Sequence, residues 1–61
     1  MDDKAVVEAA YKDWVKSLYQ VFVQAWVNAG NDATATDAAA QRFKNGLVAG
    51  RAARDHAMTL L

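Results

Sequence analysis

The sequence predicts an all-α fold, an antiparallel helical hairpin of two long helices that dimerises into a four-helix bundle. Three observations carry this. Proline is absent from all 61 residues. Two stretches, 7–29 and 36–61, place apolar residues at helical spacing. Between them lies the one sharp break, Ala29-Gly30-Asn31-Asp32, where glycine and asparagine are the residue types that best tolerate the left-handed backbone ending a helix. The chain reads as a single domain over 1–61, with helix 1 at about 3–29, a turn at 30–34 and helix 2 at about 35–60.

Helix 1 opens at Asp2 or Asp3, whose carboxylates can accept from free backbone amides and favour the positive end of the helix dipole. At roughly 100° per residue, Val7, Tyr11, Trp14, Leu18, Val21, Phe22, Ala25 and Ala29 fall in one stripe expected to face helix 2. Beside it runs a second strip of Val15, Tyr19 and Trp26, and near the turn Val23 and Val27 extend the apolar surface further round. Lys12, Asp13 and Lys16 mark the wet side. A helix apolar on more than one face is expected to touch more than one helix.

Thr34-Ala35-Thr36-Asp37 has the form of a capping box, with Asp in place of the usual Glu, and predicts that helix 2 begins near Ala35. Asp32 competes as a cap and would start the helix about two residues earlier. Ala39, Ala40, Phe43, Leu47, Gly50, Ala57, Met58 and Leu61 are expected to face inward. Arg51, Arg54 and His56 suit the negative end of the dipole. Gly46 and Gly50 each cost about 1 kcal/mol relative to alanine in a helix interior, so they need a packing reason. Close helix approach with Trp14 lying across bare backbone is the expected one. The alternative is a dimer contact between small residues.

When the two stripes are laid antiparallel, with paired positions summing to 64 or 65, Ala25 meets Ala40, Phe22 meets Phe43 and Leu18 meets Leu47. Further along, Trp14 meets Gly50, Tyr11 meets Arg54 and Val7 meets Met58. Two helices bury too little surface to stand alone without a staple. No cysteine is present, and the lone His56 cannot build a metal cage. Self-association is therefore expected. Lack of cysteine also suits a reducing compartment, and the cytoplasm is the expected location.

Seven basic and seven acidic residues cancel, so the chain as a whole has no electrostatic reason to seek nucleic acid or an anionic membrane. The uncharged run from Ser17 to Asn31 is interrupted by Gln20, Gln24 and Asn28, too polar for a spanning helix. The Met-Asp-Asp-Lys start lacks the apolar region of a signal peptide, and the initiating Met is read as the start of a complete chain. The polar face mixes Lys12 and Lys16 with Asp13, unlike a membrane-surface helix.

No catalytic residue, cofactor or metal ligand is expected. His56 has no second histidine, cysteine or nucleophile set beside it, and the carboxylates lack the Glu-x-x-His pattern of bundle metal sites. The expected interface is Val15, Tyr19, Val23, Trp26 and Val27, sealing a homodimer or docking another protein. Lys44, Arg51 and Arg54 share a flank of helix 2 that, doubled by a twofold axis, could contact a phosphate backbone. Against this, Arg51 and Arg54 are placed to pair with Glu8, and Arg54 to stack on Tyr11. In layout the chain resembles the Rop-like proteins, small RNA-binding chains whose helical hairpins dimerise into a four-helix bundle. Those bundles alternate small and large core layers, whereas this stripe mixes aromatics with glycines, so no RNA-contacting position carries over. The functional expectation is a small non-enzymatic interaction or regulatory module acting as a homodimeric bundle, with a nucleic-acid-binding dimer as the alternative.

Overall fold

Two helices, α1 (Asp3–Ala29) and α2 (Ala33–Thr59), make up the computed structural model, which describes residues 2–61. At 1.5 Å per residue each helix is about 40 Å long, and the hairpin measures 47 × 17 × 6 Å along its principal axes. Asp2 caps α1, its carboxylate accepting from the amides of Lys4 at 3.1 Å and Ala5 at 3.3 Å. Asp3 adds negative charge in the first turn, where the helix dipole favours it.

The turn is tighter than expected. The Asp32 amide donates to the Ala29 carbonyl at 3.0 Å, closing a four-residue turn. Gly30 sits at φ 58, ψ −120, the geometry of the first central position of a type II′ turn and one that a Cβ disfavours. Asn31 does not share this positive φ, so glycine alone supplies the unusual backbone. Asp32 then caps α2, accepting from Thr34 at 3.0 Å and Ala35 at 3.2 Å. The expected start near Ala35 is thereby corrected to Ala33. A carboxylate is a stronger acceptor than a hydroxyl and carries charge at the dipole's positive end. Thr34 is left inside the first turn.

The seam between the helices is narrower than the stripe read from the sequence. Glu8, Tyr11, Val15, Leu18, Phe22, Ala25 and Ala29 are half-buried at alternating spacings of three and four, the pattern by which one helix meets one neighbour. Trp14 and Val21, expected to face inward, are largely exposed, whereas Val15, expected on the second strip, lies in the seam. Ala40 and Leu61 are likewise exposed, and Ala39, at 3% exposure, is the one fully buried residue among those described. A single neighbour covers about two positions in seven, so a stripe 100° wide includes residues that it cannot reach.

The expected register holds where side chains report it. The rings of Phe22 and Phe43 stack with centroids 5.0 Å apart. Trp14 lies across Gly50, and its indole Nε1 donates to the Gly46 carbonyl at 3.0 Å. Leu18 covers Gly46 in the same way, so both glycines are explained by close approach of α1.

Two outcomes follow. Gly50→Ala should lower stability by about 1–2 kcal/mol in urea unfolding followed by circular dichroism, because its methyl collides with a rigid, hydrogen-bonded indole. Gly46→Ala meets only the movable tip of Leu18 and should be close to neutral. At the turn, Asp32→Ala should cost about 1 kcal/mol and Thr34→Ala a few tenths at most, the reverse of what a Thr34 cap would produce.

Candidate functional site

The exposed aromatic patch lies toward the turn on one side of α1. Tyr19 is 58% exposed and Trp26 50%, and with Phe22 and Val23 they line a shallow cleft of about 310 Å³. Helical spacing puts Tyr19, Val23 and Trp26 on successive turns of one flank. Trp26 is tilted 48° against Phe22 at 5.7 Å, so its ring is anchored to the seam at one edge. Of the expected interface residues, Tyr19, Val23 and Trp26 come together. Val15 is held in the seam and Val27 is exposed outside the cleft lining. Phe22, expected only as core, joins the patch.

The basic flank divides. Arg54 is engaged within the hairpin, with its guanidinium carbon 4.4 Å from the Tyr11 ring centroid. Its Nη2 and Nε donate to the Asp55 carboxylate at 3.0 and 3.1 Å, and Nε lies 3.8 Å from Glu8 Oε1. The hydrogen bond to Asp55 is the main reason its pKa is raised above the ordinary arginine value, opposed by desolvation and helped by the charges of Asp55 and Glu8. Glu8 pairs with Arg54 and not with Arg51, so the expected Arg51 pair does not form among the described residues. Lys44 and Arg51 lie exposed on the Tyr19 side of the hairpin, which also carries Glu8, Asp37 and Asp55. That side therefore presents both signs of charge.

On the other side, near the open end of the hairpin, a groove of about 470 Å³ runs between the helices. Val7, Ala10 and Trp14 of α1 and Ala49, Gly50 and Ala53 of α2 line it, and Arg54 lies at its edge. It is succeeded toward the turn by a smaller hollow of about 50 Å³ that includes Val21, Ala39 and Arg42. Sequence reasoning missed this groove. The signal was the small-residue face of Gly46, Gly50, Ala53 and Ala57, read first as contact within the hairpin with a dimer contact between small residues as the alternative.

Among the described residues no group of three or more His, Cys, Asp and Glu residues comes together, and no helix is long and apolar enough to cross a membrane. No known protein family, curated protein or solved structure matches the chain. The hairpin presents an aromatic patch with mixed charge on one side and an apolar groove on the other.

The balance within the Arg54 cluster is measurable. Tyr11→Leu should cost about 0.5–1 kcal/mol in urea unfolding through loss of the cation–π contact. Glu8→Gln should cost less than about 0.5 kcal/mol, since a partly exposed pair at long range contributes little.

Proposed function

We propose that this chain is a non-enzymatic interaction module that works as a homodimeric helical bundle, with the Tyr19, Val23 and Trp26 patch among the surfaces through which it acts. The supporting observation is the want of an interior. The hairpin exposes 4665 Å² of accessible surface, whereas a compact folded chain of its 6.6 kDa mass would expose about 3,900 Å². The surplus is close to the roughly 800 Å² that each partner contributes to a stable protein interface. Trp14 is 47% exposed, Trp26 50% and Tyr19 58%, so both sides of the hairpin hold aromatic surface that a partner would cover.

A regulatory or scaffolding role suits such a module, because a rigid helix face is a common recognition element. Cytoplasmic action belongs to the same reading and rests on the cysteine-free sequence. The test is the solution mass across a dilution series, with helicity measured on the same samples. A species of about 13 kDa, twice the 6.6 kDa chain, that loses helix as it dissociates is the expected result. A helical monomer at every concentration would refute self-association.

A further inference from the structure

The hairpin has two broad sides, and they are not equivalent. Around α1, the direction of Trp14 and Val21 differs from that of Tyr19 and Trp26 by about 140°, with the seam residues Leu18 and Phe22 between them. We infer that the second copy of the chain seats on the Trp14 and Val21 side, in the groove over Ala49, Gly50 and Ala53, leaving Tyr19 and Trp26 outside the dimer. This inference rests on the self-association proposed above.

Two observations favour that side. First, a bundle partner must touch both helices, and the groove is lined by both, whereas the Tyr19 cleft is lined by α1 alone. Second, closing the Tyr19 side would bring Lys12, Asp37, Lys44 and Arg51 toward an interface, and desolvating charges without dedicated partners is unfavourable. By the same helical spacing the groove side carries Asp3, Arg42 and His56, with Arg54 at the groove edge already held by Asp55 and the Tyr11 ring, so fewer charges would be covered there. The surplus area of one hairpin is what one such contact would cover, so one side closes and these two differences choose which.

The side is also self-complementary, as a twofold contact requires. Val21 projects from it at 68% exposure, while Ala49 and Ala53 leave the groove open further along. A twofold axis lying between the two copies, perpendicular to α1 at the level of Lys16, carries Val21 to the level of Tyr11. In the observed register Tyr11 lies beside Arg54, and hence next to Ala53. Val21 of each copy then fills the groove of the other.

Equivalent charges placed on the two sides test this. In sedimentation equilibrium, Ala53→Glu and Val21→Glu should each weaken the dimer by about tenfold or more, whereas Tyr19→Glu should change it by less than about threefold. Since a dissociated hairpin can lose helix, a second measurement reads the interface directly. The chain has no cysteine, so Val21→Cys and Ala53→Cys chains, mixed and oxidised with diamide, should form a 21-to-53 linked dimer, while Tyr19→Cys mixed with Ala53→Cys should not. Dissociation by Tyr19→Glu with Ala53→Glu unaffected, equal sensitivity of both sides, insensitivity of both, or a failure to form the 21-to-53 link would each overturn the assignment. A wild-type chain that is monomeric throughout dilution would instead remove the self-association on which it rests.

Discussion

Two helices laid side by side share one line of contact, and each can turn only a narrow strip of its circumference toward the other. Every other feature of this protein is conditioned by that limit. The strip on α1 follows alternating steps of three and four residues from Glu8 to Ala29, and little outside it finds cover. Residues of a kind that belong in an interior, Trp14, Tyr19, Val21 and Trp26, stand largely in water as a direct result. The Cα trace of the hairpin is 6 Å through its thinnest principal extent, one helix thick, so there is no second layer to enclose side chains.

Within the strip, unequal pieces hold the register. Trp14 lies across the bare backbone of Gly50 and donates to the Gly46 carbonyl, so the ring and the two glycines act as one fitted contact. Phe22 on Phe43 does the same work nearer the turn, and Tyr11 under Arg54 nearer the open end. Each glycine gives up about 1 kcal/mol of helix propensity, which the aromatic contact and hydrogen bond offset. Sliding one helix by a turn would separate Phe22 from Phe43 and Tyr11 from Arg54 together, even in the direction that moves Trp14 from Gly50 to Gly46.

Charge then distinguishes surfaces that hydrophobicity alone leaves alike. Arg54 is engaged by Asp55, Glu8 and Tyr11 and stabilises the hairpin's own geometry. Lys44 and Arg51 lie on the aromatic side among carboxylates, where they mix its charge without making it basic. The opposite side keeps an apolar groove shared by both helices. The two sides thus differ in kind, one an aromatic patch ringed by mixed charge and the other a groove of small residues.

By itself, the sequence determined the two helices, the break at Gly30 and the pairing of Trp14 with Gly50, Phe22 with Phe43 and Tyr11 with Arg54, because periodicity and backbone permissiveness are local properties that residue types report directly. The competition between Asp32 and Thr34 for the cap was visible but not decided, since both lie at workable distances and acceptor strength counts only once the turn has closed. Placement of Val15, Trp14 and Val21 was decided only by the tertiary structure. A helical wheel gives the direction of a side chain but not how many neighbours stand in that direction, and with one neighbour the seam drew in Val15, left Val21 outside and kept Trp14 at its edge, against Gly50 on one face and half in water on the other. The groove between Ala10 and Ala53 was hidden for the same reason, because a cavity belongs to two helices at once and neither one's sequence describes the space between them.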